Sequence, residues 1–468
     1  MPPSFCSAIV NTMRQYLFRC ARIVFTMNNP VLYGMLFTLF FVKAYFSLDP
    51  DFGWHLASGN YMLAQGVPTS DIYSYTAPDF PWIHHEWLAD SINALLYRYG
   101  GYTALSIVSA LLWTGAFWLV ARGTRLRALV ALAAVVVLPF AGVRAITWTV
   151  FLFALLIAIL SQASSRKYWM IPLIVLFWAN VHGSFVIGLV YIVWCYLANP
   201  SRRLLAVLVL SIAASFLTPY GTAMYIEVLR TVTDHSLRGR IGEWRPFGLS
   251  IGAGIMAGIW GGLVWIQPGT WRKKLLHFEL LLLVMAFFSV RHTPLFIIAS
   301  LTFIVAAARQ ITIPRTMWRT REVQWASIGI VCLIIFTAFL MVASTFRGYT
   351  TDREREYPRQ IATRLRQTPC AGNVFAHYDF GGYLIWKVPG QKLYIDGRMP
   401  SWEDHGIKYM DNYLKIIDDD AFQRQEFAAQ NIRCVVWGGE TAFTTRLQAQ
   451  GWQIVQREAT NHSIVLEK

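Results

Sequence analysis

The chain has 468 residues, of which 55% are hydrophobic and only 14% charged, with a mean hydropathy of +0.41. Soluble globular proteins carry about a quarter charged residues, so this composition excludes an ordinary soluble domain and points to a polytopic membrane protein. The net charge of +15 is then informative through its placement and is not a nucleic-acid signal.

The opening segment, MPPSFCSAIVNTMRQYLFRCAR, lacks an apolar core ending in a small-residue cleavage site, so the first helix is expected to remain as an anchor. Apolar runs predict spans near residues 30–47, 91–120, 128–142, 147–163, 168–180, 184–198, 203–217, 250–266, 275–290, 293–308 and 325–345, about eleven in all. Basic residues gather on alternate connections. Arg14, Arg19 and Arg22 precede the first span, and RGTRLR, SSRK, NPSRR, TWRKK and the run from Arg309 to Arg321 follow every second one. The positive-inside rule makes that set cytoplasmic. The N-terminus is then cytoplasmic, and residues 48–90 and everything after Phe346 are extracytoplasmic.

On that outer side, polar residues collect at span ends. The first loop supplies Asp49, Asp51 and His55, then His84, His85, Glu86 and Asp90 in PWIHHEWLAD. Later turns supply Arg144, Asn180 and His182 in WANVHGS, Glu243 and Arg245 in GEWRP, and Arg291 and His292 in SVRHTP. Each also has a structural reading: a solvated loop, an interfacial belt beside Trp82 and Trp87, a snorkelling arginine, or a helix-to-helix hydrogen bond. Their gathering on one face favours a site. Carboxylates suit a general base or a divalent cation, and arginines suit phosphate or diphosphate. No HExxH or CxxC pair supports a metal by spacing.

The tail, 347–468, reads as a small α/β unit. Charged residues lead into a helix. Strand-like runs follow at 373–378, 392–396, 433–437, 452–458 and 463–467, with YMDNYLKII and FQRQEFAAQN helical between them. Cys370 and Cys434 fall on the external side and are candidates for a disulfide.

DPDFGWHLASGNYMLAQGVPTSDIYSYT with PWIHHEWLAD resembles the first loop of a broad bacterial family of multispanning GT-C-type glycosyltransferase-like proteins. WANVHGSFVIGL, TPYG, EWRP, VRHTPLF and YDFGGYLIWKVPGQKLYIDGRM continue the likeness over nearly the whole chain. The resemblance implies a GT-C-like helical bundle in a bacterial inner membrane, with Asp49 and Asp51 as the acidic motif of the first external loop. It also implies a polyprenyl-phosphate or polyprenyl-diphosphate sugar donor, a lipid, glycan or protein acceptor, and no nucleic-acid partner. Two positions depart from its pattern: Gly53 stands where an aromatic is expected, and no proline follows Arg144. YDFGGYLIW and YIDGRM resemble, more loosely, the segment after the membrane region of oligosaccharyltransferase catalytic subunits, which implies acceptor-side roles for Asp379, Asp396 and Arg398.

These readings converge on a mainly α-helical membrane protein with two parts: residues 1–346, containing the acidic loop 48–90, and an extracytoplasmic α/β domain at 347–468. The expected activity is glycosyl transfer with Asp51 as base, supported by Asp49. His55, His84, His85, Glu86, Arg144, Asn180, His182, Arg245, Arg291 and His292 are the donor-side candidates. A transporter or flippase for an anionic lipid or glycan, or a non-catalytic partner protein, is the alternative. Transport calls for polar residues along a mid-membrane path, and few are visible in the sequence.

Overall fold

The computed structural model describes residues 29–162, 165–234, 241–246, 250–310 and 352–468, with single positions at 239, 336, 339 and 343. The expected span at 325–345, most of the basic run before it, and Arg14, Arg19 and Arg22 lie outside the described residues. A helix stands at each of the other expected spans. The first three are α1 Asn29–Phe46, α2 Phe52–Gln65 in the first loop, and α3 Trp87–Ala121. Then come α4 Arg127–Val137, α5 Ile146–Leu160, α6 Ile171–Val181, α7 Phe185–Ala198 and α8 Arg202–Ser215. They are followed by α9 Ala223–Thr233, α10 Ile251–Ile266, α11 Phe278–Phe288 and α12 Thr293–Gln310. Among the described residues, three helical stretches are long and apolar enough to cross a membrane: α1, α3 and Val290–Gln310. Helices α4 with the turn after it, α5, α7, α10 and α11 are apolar but shorter than the roughly 20 residues of a full crossing, so eleven crossings are not established.

Burial of large side chains explains the bundle. Trp113 of α3 and Trp178 of α6 are fully buried, and each indole N–H is satisfied by a threonine on α5: Trp113 donates to Thr147 Oγ1 at 3.2 Å and Trp178 to Thr149 Oγ1 at 3.0 Å. Phe40 of α1 stacks on Trp113 and Phe117. The long α3 breaks at Gly101, whose φ of 59° is a conformation that glycine adopts without the Cβ penalty of other residues.

The C-terminal part is a four-stranded sheet with helices. Its strands are β1 Asn373–Ala376, β4 Ile432–Trp437, β5 Gln453–Arg457 and β6 Ile464–Glu467, with a two-residue hairpin of β2 Glu403–Asp404 and β3 Ile407–Lys408 beside it. The sheet order is β1-β4-β6-β5. β1 runs parallel to β4, and β6 is antiparallel to both β4 and β5. Helices α13 Arg359–Gln367, α14 Gly381–Lys387, α15 Tyr409–Asp418, α16 Asp420–Ala429 and α17 Ala442–Ala449 pack around it. Cys370 and Cys434 form a disulfide with Cα atoms 6.2 Å apart. The expected strand at 392–396 does not form. Only Leu393 pairs, in single bridges to Ser74 and Val374, and the chain then turns at Asp396.

The first loop belongs to this core. Trp54, Ala77, Phe80 and Trp82 are buried in one cluster with Phe375, Leu384, Ile395 and Val435. The Tyr75 N–H donates to the Leu393 carbonyl at 3.1 Å, and the Leu393 N–H to the Tyr73 carbonyl at 2.9 Å. The structure gives a reason for glycine at position 53, where an aromatic is expected. A Cβ there would lie 2.0 Å from the Gly382 carbonyl oxygen, and one at Gly382 would lie 2.4 Å from the Pro50 oxygen. Bare backbone on both sides lets α2 and α14 touch.

Candidate functional site

Asp51 sits at the N-terminus of α2, where Pro50 stiffens the approach. Its backbone N–H donates to Asp49 Oδ1 at 3.0 Å, so the two carboxylates are fixed relative to each other. The Trp54 indole N–H donates to Asp51 Oδ1 at 2.9 Å. Asp49 Oδ2 lies 2.9 Å from Arg144 Nε. Burial, and then repulsion from Asp49, push the Asp51 carboxyl up to about 6. Asp49 is thus ion-paired with Arg144, while Asp51 is the group that can take a proton near neutral pH.

A chain of alternating imidazoles and carboxylates continues from α2. His55 Nδ1 is 2.9 Å from Asp90 Oδ1, and His84 Nε2 is 2.8 Å from Asp90 Oδ2. Around Glu86 lie His182 Nε2 at 3.2 Å, His55 Nε2 at 3.5 Å and His85 Nε2 at 3.6 Å. The Ser184 N–H donates to His182 Nδ1 at 3.1 Å, which puts the imidazole proton on Nε2, facing Glu86. Burial works against a charge on His55, but Asp90, Glu86 and Asp51 outweigh it and hold the ring at about 9, a cation at neutral pH. Burial, with His85 and Arg291 nearby, keeps His182 well below the usual range and therefore neutral.

These groups line one cavity of about 460 Å³ between the bundle and the C-terminal part. Asp49, Asp51, His55, His84, His85, Glu86, Arg144, His182, Arg291, His292 and Arg398 all border it. Val186, Ile187 and Val190 of α7, with Phe278 and Leu281 of α11, make an apolar wall. Arg291 lies 4.5 Å from the centre of the Trp244 ring.

Four expected site residues are not in the lining. Arg245 is exposed, and its carbonyl accepts the Val290 N–H at 3.1 Å. It ties two turns together, while Trp244 beside it faces the cavity. Asn180 holds helices, accepting from the Trp87 indole at 2.9 Å and donating to the Leu176 and Leu217 carbonyls. Asp379 is 61% exposed, 4.0 Å from His377. Asp396 is fully buried. Arg398 borders the cavity. Its guanidinium is spent on Asp396, at 2.8 and 2.7 Å, and on Asp71, at 2.7 Å, among the rings of Trp82 and Tyr73. An arginine so paired joins the first loop to the tail. Asp71, Trp54, Gly397, Tyr378 and Glu227 also border or brace the cavity. Sequence reasoning passed over Trp54, Tyr378 and Gly397 because their neighbours His55, Asp379, Asp396 and Arg398 carry the charge, and over Asp71 and Glu227 because each stands as a lone carboxylate.

The residues fit a resident divalent cation badly. Asp49 is already paired with Arg144, a fixed positive charge beside any ion bound there, and Asp51 gives one oxygen to an indole. Among the described residues, no group of three ligating side chains converges on a metal position.

No protein-family model and no curated protein matches the sequence. Solved structures match in fold. The oligosaccharyltransferase AglB from Archaeoglobus fulgidus, in complex with an inhibitory peptide and a dolichol-phosphate, aligns at a TM-score of 0.59 and 10% identity, over 87% of this chain and 69% of that one. ArnT from Cupriavidus metallidurans, bound to undecaprenyl phosphate, aligns at 0.53 and 12% identity, over 93% and 97%. The arabinofuranosyltransferase AftD from Mycobacteria aligns at 0.56 and 14% identity, over 94% of this chain and 41% of that one. The chain shares their fold.

Proposed function

We propose that this protein is a GT-C-type membrane glycosyltransferase. It moves a sugar or glycan from a polyprenyl-phosphate or polyprenyl-diphosphate donor to an acceptor at the extracytoplasmic face of a bacterial inner membrane. One observation carries the reading: a carboxylate with a raised pKa and two arginines border a cavity whose other wall is apolar. A charged headgroup on a hydrocarbon chain is the ligand such a cavity suits. The shared fold with proteins solved on dolichol-phosphate and undecaprenyl phosphate supports the donor class.

Asp51 takes the proton from the acceptor hydroxyl as its oxygen attacks the anomeric carbon. The bond from that carbon to the phosphate oxygen breaks, and the polyprenyl phosphate leaves with the electron pair. Arg144 and Arg291 hold that phosphate and stabilise the charge it gains. Asp49 orients Arg144 and sustains the proton affinity of Asp51. The α7 and α11 wall receives the start of the isoprenoid. No step is assigned to a metal. The disulfide supports an oxidising location for the tail, in agreement with the basic cytoplasmic connections.

The test is bond cleavage. Purified protein in nanodiscs is given radiolabelled sugars linked to polyprenyl phosphate, with a panel of saccharide, lipid and peptide acceptors. Release of free polyprenyl phosphate with label on an acceptor is expected. Movement of intact donor across a proteoliposome membrane, without cleavage, would replace this reading with the transporter.

A further inference from the structure

The turn from Asp396 to Arg398 reaches the reacting end of the cavity, and it meets Asp51 there with the bare backbone of Gly397. Gly397 borders the cavity. A Cβ at Gly397 would lie 1.8 Å from Asp51 Oδ1 and 3.0 Å from Trp54 Nε1. That carboxylate oxygen is the one that accepts the Trp54 indole N–H at 2.9 Å. It is therefore confined between an indole on one side and bare backbone on the other.

The turn itself is rigid. The Arg398 N–H donates to Asp396 Oδ1 at 3.0 Å, and the Met399 N–H to the Asp396 carbonyl at 3.1 Å. The Arg398 guanidinium bridges Asp396 to Asp71 of the first loop. Asp71 is fixed in turn by the N–H groups of Tyr73, at 3.1 Å, and Ser74, at 2.8 Å. A lock serving folding alone would have no need to bring a glycine against a cavity carboxylate. A Cβ at Gly381 would lie 3.0 Å from Asp396 Cβ, and one at Gly382 would lie 3.2 Å from Trp54 Cδ1.

We propose that Gly397 and Trp54 are positioning residues that clamp the Asp51 carboxylate, with the Asp71–Arg398–Asp396 lock holding the Gly397 side of the clamp. This rests on the role given to Asp51 above. The tail is thereby part of the transfer machinery, because it supplies one jaw. A side chain at position 397 drives Oδ1 off the indole and swings the base away from the acceptor.

Full-length Gly397→Ala in nanodiscs tests this against Gly438→Ala, where a Cβ meets only Phe380 Cζ at 3.8 Å. A misplacement of about 1 Å costs on the order of 10²-fold in rate, so kcat of Gly397→Ala is expected to fall by that factor. Its donor KM and thermal midpoint stay near the parent's, and Gly438→Ala matches the parent throughout. A folded Gly397→Ala with parental kcat overturns the proposal. If Gly397→Ala does not fold, Trp54→Phe carries the test: it keeps the ring, loses the donor, and should move the acidic limb of the rate profile upward. An unmoved limb overturns the proposal. Infrared titration of the Asp51 carboxyl band, assigned by its loss in Asp51→Asn, reads the clamp without any turnover. An upward shift in Trp54→Phe supports the clamp even if the parent transfers no sugar, in which case only the transferase reading fails. No shift overturns the clamp.

Discussion

Sugar transfer should gain speed as the pH rises through about 6, well above the usual aspartate range. A base works only when ionised, and burial together with Asp49 holds the Asp51 carboxyl at about 6. At pH 5 about a tenth of the molecules would carry the ionised base, and at pH 7 about nine tenths. Moving a carboxyl from near 4 to about 6 corresponds to roughly 3 kcal/mol in favour of its neutral form. The folded chain holds this proton more tightly than the unfolded chain does. The group therefore stabilises the fold fully below about pH 4, and that contribution is lost as the pH rises through about 6. Asp49→Asn removes the neighbouring negative charge and leaves Arg144 beside Asp51. Both changes favour ionisation, so the acidic limb should move to lower pH. Initial rates at saturating donor, measured from about pH 4.5 to 8, give both limbs. A parental limb already near 4, or an Asp49→Asn limb that stays in place or moves up, would refute the reasoning.

Gly53→Ala would put a Cβ 2.0 Å from the Gly382 oxygen. Carbon–oxygen contacts normally stay beyond about 3.3 Å, so α2 and α14 must part by about 1 Å, at a cost of about 1–3 kcal/mol. A thermal midpoint equal to the parent's would show the junction to be slack. Arg144→Ala and Arg291→Ala should each raise the donor KM by about 10- to 100-fold, the value of one charge-assisted hydrogen bond. Arg245→Ala should leave it within about twofold, and the reverse ranking would move the phosphate site. The disulfide closes a separation of 64 residues, worth about 4 kcal/mol by loop-closure entropy. A reductant should lower the tail's unfolding midpoint and expose thiols that an impermeant maleimide labels in intact cells. Labelling only after lysis would reverse the proposed orientation.

The helices of the bundle were legible because apolar runs must be buried in protein or lipid whatever their partners. Asp49 and Asp51 were legible because two carboxylates at the end of an apolar run are a local anomaly. Helix α2 was not, since its glycines and polar residues read as loop. Its packing depends on Gly53 and Gly59 lying bare against Gly382 and Asp90, contacts that no local window contains. The pairing of Arg398 was hidden for the same reason, since only the folded chain brings Asp71 of the first loop to it. The run 392–396 has strand composition, yet on the β1 edge away from β4 only Leu393 pairs, bridging Val374 and Ser74 of the first loop.

The most direct measurement is the rate of label transfer from a polyprenyl-phosphate-linked sugar by Asp51→Asn beside the parent, both reconstituted and shown to be folded by thermal unfolding. The substitution keeps the shape of the side chain and removes its charge. A loss of about 10²–10⁴-fold is expected, with donor binding retained. Transfer by the folded Asp51→Asn protein at the parental rate would contradict it.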